Sequence, residues 1–295
     1  MLTPLERLLP GPVVLDGALG TELQRAGLTP GECPDAWNLR HPERVEAVAR
    51  SYVEAGSEIV LTNTFGANRV MLARHGLEDQ LEAINRDGVA AARRAAAGRA
   101  LVFASLGPTG KLVGMGQIND TELRELYGEQ TRVLAEAGVD GLALETFSDL
   151  DEVAPAIAAA KATGLVVVAT MVFDSGRDHD RTMMGTTPEA AARGMAAAGA
   201  DVVGANCGRG VAGYLRVTER MRSAVDLPLW IKPNAGLPEL VDGRTVYRTT
   251  EREFAEGVRA LVAAGATFVG GCCGTSPGYL RAAAAVLREP RAERP

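Results

Sequence analysis

Lysine is almost missing from this chain. Of 31 basic residues only Lys111, Lys161 and Lys232 are lysines, and the net charge is -6. An acidic balance without a basic cluster argues against a nucleic-acid-binding protein. The arginine bias and the alanine-rich helical stretches are read as genome composition, not as function. Aromatic residues make up only 4%, so a cage of aromatic walls for a quaternary ammonium is poorly supplied. No apolar run reaches the roughly 18 residues of a membrane span, and none is expected. The N-terminal stretch "MLTPLERLLPGP" is too short and too acidic for a secretory signal. Four cysteines without disulfide-like spacing point to a reducing cytosol, hence a cytoplasmic protein, where cysteines serve more often as metal ligands or catalytic groups. Nor is there a Pro/Ser linker or a low-complexity segment, so residues 1–295 are expected to form a single domain.

What is present is an alternation. Eight apolar runs of strand length recur: "VVLDG" (13–17), "EIVLTNTF" (58–65), "ALVFASLGP" (100–108), "GLALETFSD" (141–149), "LVVVATMVFD" (165–174), "DVVGANCG" (201–208), "PLWIKPNAG" (228–236) and "FVGGCCGT" (268–275). They are nearly continuous in hydrophobicity, as strands buried on both faces must be. Amphipathic helical stretches lie between them, and four of these end in Ala-Gly, a stop signal. Others open at Thr, Asp or Pro, residues suited to a first turn. Eight such units predict a single α/β (β/α)8 TIM barrel. An open doubly wound sheet is the runner-up, but the first strand is followed by "DGALGTEL", which lacks the third glycine of a dinucleotide loop.

In a (β/α)8 barrel the chemistry sits at the C-terminal ends of the strands. Those ends supply Asp16 with Thr21 just beyond, Asn63 and Thr64, Glu145 and Thr146, Asn206 and Cys207, Asn234, and finally Cys272 and Cys273. Three cysteines across one mouth suit a tetrahedral zinc ion with an open fourth position. Adjacent cysteines reach one metal only if the strand end departs from regular pleating, which Gly270, Gly271 and Gly274 permit. The alternatives are three buried thiols acting as small apolar residues, or a vicinal Cys272–Cys273 disulfide, which is strained. Cys33, in a loop, is read as a structural thiol. A zinc held by three thiolates is a poor Lewis acid for hydrolysis and better suited to keeping a substrate thiol ionised. Asp16 and Glu145 would receive an ammonium group, and Asn234 or backbone N–H groups a carboxylate. A thiol that is also an amino acid fits these partners.

The motifs "LDGALGTEL", "TNTFGANR", "LGPTG", "LETFSD", "GANCG", "PNAG" and "GGCCGT" resemble, in that order, the homocysteine S-methyltransferases. The likeness is to the homocysteine-binding barrel of cobalamin-dependent methionine synthase and its stand-alone relatives, from about residue 10 to about residue 288. The resemblance implies that Cys207, Cys272 and Cys273 bind zinc and that the homocysteine sulfur takes the fourth position. Asp16 and Glu145 would hold the amino group, with Thr21, Thr64, Asn206 and Asn234 around the substrate. The product would be methionine. The resemblance to the methionine-synthase branch implies methylcobalamin on a corrinoid partner protein as donor. No D-x-H-x-x-G cobalamin signature occurs in this chain. S-methylmethionine or another small donor is the alternative, as is a non-catalytic zinc-dependent thiol-binding module.

Elsewhere, "DSGRDHDRTMMGT" (174–186) places His179 between Asp178 and Asp180 and is expected to be a solvated loop, positioned as a lid over the mouth. His41 and His75 flank helices and are read as surface or capping residues.

Overall fold

The computed structural model of the protein describes residues 8–9, 11–241 and 244–288. Most of the N-terminal stretch discussed above, and the last residues of the expected 1–295 domain, lie outside the described residues.

Ten strands are formed among the described residues: β1 (Val13–Val14), β2 (Ile59–Leu61), β3 (Leu101–Leu106), β4 (Gly141–Phe147), β5 (Val166–Met171), β6 (Val202–Cys207), β7 (Leu229–Pro233), β8 (Glu239–Val241), β9 (Arg244–Val246) and β10 (Phe268–Val269). Eight of them pair in the order β1-β10-β7-β6-β5-β4-β3-β2, while β8 and β9 make a separate antiparallel hairpin. Pairing within the eight is parallel, and a Leu15–Ile59 bridge joins β1 to β2, so the sheet closes into a (β/α)8 barrel.

Helix boundaries follow local chemistry. Asn119 with Glu122 and Thr250 with Glu253 form capping boxes that satisfy the free N–H groups of the helices Asp120–Glu136 and Glu251–Ala263. Pro42 and Pro188 open theirs, and Gly56, at φ 106°, ends Pro42–Ala55 in a left-handed turn. Trp37 lies in a four-residue helix, Trp37–Arg40, with its ring against His41. Among the described residues no helix is long and apolar enough to cross a membrane.

Two layers fill the barrel. Phe103, Ala143, Val168, Val202, Trp230 and Phe268 form one buried apolar cluster inside it, with Trp230 stacked on Phe103 at 6.0 Å and packed on Phe268 at 5.5 Å. Side chains two residues apart on a strand share a face. Above this layer the same faces therefore carry Ser105, Glu145, Thr170 and Lys232, all buried. The second apolar cluster, much larger, lies between the strands and the helices. The apolar plug is a floor, and the polar layer stands on it toward the C-terminal ends of the strands.

β1 and β10 are shorter than their sequence runs suggest, at two residues each. Beyond Leu15 and Val269 the chain leaves the regular pairing and turns into the mouth. The Gly271 N–H donates to the Asp16 carbonyl at 3.0 Å, so the two irregular ends brace each other.

Candidate metal and thiol site

β6 and β10 flank β7, so Cys207 and the Cys272–Cys273 pair face each other across a single strand. Cys207 ends β6 at φ 65°, a left-handed conformation that L side chains seldom adopt and that clusters at functional sites. At the other side, Cys272 N–H donates to the Pro233 carbonyl at 2.8 Å, and the Thr275 hydroxyl donates back to the Cys272 carbonyl at 2.7 Å. Gly274, at φ 83°, makes the turn, and a Cβ on Gly271 would stand 2.2 Å from Thr275 Oγ1. The segment is thus a tight turn and not a pleated strand, and two consecutive sulfurs reach one spot. Cys207 Sγ and Cys272 Sγ are 3.0 Å apart, and all three sulfurs lie within 4.8 Å of one another. A tetrahedral zinc with sulfur ligands needs S···S separations of about 3.8 Å, so the three sulfurs can hold that ion once Cys207 and Cys272 part by somewhat under about 1 Å.

The protonation of the cluster supports the same use. Hydrogen bonds from Cys207 and then Cys272 hold the Cys273 thiol down to about 3. Cys207 is pushed well up, first by its hydrogen bonds with Cys272 and Cys273 and then by burial. The cluster accepts one negative charge readily and resists more, as coupled buried groups do. A divalent cation would relieve that repulsion. All four cysteines are free thiols, so Cys272 and Cys273 form no vicinal disulfide in this structure.

The sulfurs open into a cavity of about 510 Å³, bordered also by Asp16, Thr21, Glu145 and Lys232. The Thr21 hydroxyl accepts from the Gly274 N–H at 3.4 Å. Glu145 accepts from the Ser105 hydroxyl at 2.6 Å through Oε1. Burial pushes its carboxyl up to about 7, against the pull of Lys232 and with the Cys272 charge adding to the rise. Asp16 is differently placed. Its Oδ1 is 2.6 Å from the Lys232 ammonium and its Oδ2 accepts from the Leu61 N–H at 2.7 Å.

Three of the expected substrate residues stand behind the cavity wall. Thr64 is fully buried, its hydroxyl donating to the Ser105 carbonyl at 2.8 Å. Asn206 accepts from Thr146 N–H and from the Thr170 hydroxyl, both at 2.7 Å, and its amide donates to Thr146 Oγ1, pinning the bulged end of β4. Asn234 donates to the Gly208 carbonyl at 2.6 Å, bracing the turn after Cys207.

Other residues border the cavity unforeseen. Lys232 is one, and the legible sign was a lysine two residues after Trp230 in an otherwise apolar strand. Cys33 is another. It is buried outside the sulfur cluster, with Sγ 3.8 Å from Asp35, whose carboxyl burial pushes up to about 6. Exposed His75 reaches the outer rim beside Phe65. Tyr247, just after β9, packs its ring where a Gly274 side chain would be. Its hydroxyl is pushed up to about 12 by burial and then by Cys273, Cys272 and Cys207. The 174–186 loop does not border the cavity. Asp180 pairs with Arg220, and among the described residues no metal-binding group forms around His179.

Two outcomes follow from this geometry. Elemental analysis of protein purified under reducing conditions will find about one zinc per chain, lost on Cys207→Ser, Cys272→Ser or Cys273→Ser and retained on Cys33→Ser. Retention in a Cys207/Cys272/Cys273 triple variant would contradict the site. The second concerns pH. Glu145 titrates near 7 when folded and near 4.5 when not, so its protonated form favours the folded state. That contribution is fully present below the unfolded value and is lost as pH rises through the folded one. In metal-free protein Glu145→Gln will therefore raise the melting temperature more at about pH 8 than at about pH 5. An equal effect at both would contradict the assigned shift.

Comparison with known proteins agrees with the geometry. The chain is 31% identical over 96% of its length to the methionine synthase of Mycobacterium tuberculosis, and 30% identical over 98% to that of Mycobacterium leprae. It spans about a quarter of the length of these relatives, 25% and 26%. Its fold matches the metallated form of the homocysteine methyltransferase MmuM from Escherichia coli at a TM-score of 0.78 and 24% identity, covering 94% of this chain and 97% of that one. The homocysteine S-methyltransferase family pattern runs through residues 13–287, and with it the barrel and the three cysteines converge on one conclusion: the chain belongs to that family.

Proposed function

We propose that the chain transfers a methyl group to the thiol of homocysteine, giving methionine, and that the methyl is delivered by a corrinoid on a partner protein or module. One observation carries the acceptor half: three thiols fit for zinc and a buried acid border the same cavity. Zinc held by Cys207, Cys272 and Cys273 supplies the positive charge that keeps an acceptor thiol ionised at neutral pH. The chain's own residues do the rest. Glu145 Oε1 is engaged by Ser105, and among the described residues Oε2 has no partner, so it is free to receive an ammonium. The apolar floor of Phe103, Trp230 and Phe268 closes the barrel beneath, so reactants enter from the mouth. In the transfer, a sulfur lone pair forms the new S–C bond. The donor–methyl bond breaks and its electron pair stays on the donor. The thiol proton leaves to solvent when the acceptor binds.

The donor half rests on the rim. Among the described residues the exposed large hydrophobics are Phe65, Met115, Met183, Met184, Leu237 and Leu240, the last 78% exposed. Every one lies in a segment that follows the C-terminal end of β2, β3, β5 or β7. Apolar side chains exposed on the loops beyond these strand ends offer contacts to a partner, and a large corrinoid needs such contacts to present its methyl group. The aromatic supply at the cavity, Phe65 and the neighbouring Tyr247, falls short of a cage for a quaternary ammonium.

Methionine formation with each donor in turn tests this. Methylcobalamin, free or protein-bound, is expected to outpace S-methylmethionine and betaine at equal concentration. Rapid turnover with S-methylmethionine and none with methylcobalamin would replace the donor assignment with a small sulfonium. Zinc-dependent homocysteine binding without methionine from any donor would leave a thiol-binding module.

A further inference from the structure

Lys232 is a lysine in an unusual place. Lys111 and Lys161 lie on the outside of the barrel, Lys161 paired with Asp201, whereas the Lys232 side chain is only 3% exposed. It stands on β7 one layer above Trp230, inside the barrel and bordering the cavity. Burial works against its charge, but Asp16 first and Glu145 second outweigh it, and the ammonium is held protonated.

The two acids at this end of the cavity are consequently unlike. Asp16 has one oxygen on the Lys232 ammonium at 2.6 Å and the other on the Leu61 N–H at 2.7 Å. Its charge is cancelled and both oxygens are engaged. Glu145 has Oε1 on the neutral Ser105 hydroxyl and, among the described residues, no cation within ion-pairing distance. A ligand's ammonium meets a neutral ion pair on one side and an acid with a free oxygen on the other.

We infer that Lys232 is a specificity-determining residue: as the resident counter-ion of Asp16, it leaves Glu145 as the one acid that reads the ammonium of an amino-thiol acceptor. This rests on the thiol-acceptor reading given above. Asp16 then acts through Lys232, holding that cation away from Glu145, and does not itself grip the substrate. Removing Lys232 alone would free a second acid for the ammonium. Removing Asp16 alone would send the cation toward Glu145.

The test uses the zinc-loaded full chain and two probes, homocysteine and 4-mercaptobutanoate, which has the same thiol and carboxylate without the amino group. Calorimetry yields the ratio of their affinities. Glu145→Gln is expected to cut the preference for homocysteine by about tenfold or more, the cost of a lost charge-assisted contact. The double variant Asp16→Asn with Lys232→Met removes the pair as a neutral unit, a change that buried ion pairs often tolerate. It is expected to keep the preference within about threefold. Lys232→Met alone is expected to raise it by about threefold or more. A tenfold loss in the double variant would overturn the inference, because Asp16 would then itself be reading the ammonium. If the double variant does not fold, Lys232→Met decides alone, and an unchanged or lowered preference overturns it. Equal affinity of both probes for the unmodified chain overturns the inference while the thiol reading stands. Binding of neither overturns both.

Discussion

Three sulfurs gathered in one buried pocket cannot all be ionised unless positive charge sits among them. That constraint organises the mouth of this barrel. β7 separates the two strands that deliver the thiols, and the backbone on both sides is bent to bring them together. Cys207 takes a left-handed conformation at the end of β6. The Cys272–Cys273 pair turns out of the ladder on hydrogen bonds to Pro233 and Thr275. Irregular backbone of this kind is costly, and the surrounding network holds it. Tyr214 donates to the Asn206 carbonyl at 2.6 Å, Asn234 to the Gly208 carbonyl, and Asn206 to the bulged end of β4. Asn206 and Asn234, expected beside the substrate, brace the backbone around the sulfur cluster.

Charge balance extends the same logic inward. The polar layer above the apolar floor holds Asp16, Glu145 and Lys232 with the cysteines beyond. A lysine ammonium there offsets one acid without help from any ligand. The result is a cavity with a wall of three thiols, a neutral pair and one available carboxyl. This asymmetry separates holding the site together from recognising what enters it.

Much of this was legible in the sequence, for a physical reason. Barrel strands are covered on both faces, so they are apolar until they emerge at the mouth. A polar residue at the end of such a run, as in "GANCG" or "LETFSD", therefore marks the site. The cysteine cluster, Asp16 and Glu145 were found this way. Orientation was not legible. Nothing local says that Thr64 faces the helices while Asn63 borders the cavity, because both lie beyond the end of β2 and are held by distant partners, Asn63 by Pro34 and Asn38 and Thr64 by Ser105. The Asp16–Lys232 pair spans 216 residues and exists only once the barrel has closed. Cys33 and His75 reach the cavity, and Tyr247 the cysteine turn beside it, because loops fold back over the mouth, and such returns leave no periodic trace.

The central claim is that the three cysteines form a metal site whose remaining position takes the acceptor thiol. Zinc K-edge X-ray absorption on the zinc-loaded chain, before and after homocysteine, tests it most directly. The account predicts sulfur scatterers at about 2.3 Å, three in the free protein and a fourth once homocysteine is added. A sulfur count that does not change on adding homocysteine, or a shell dominated by nitrogen and oxygen, would contradict it.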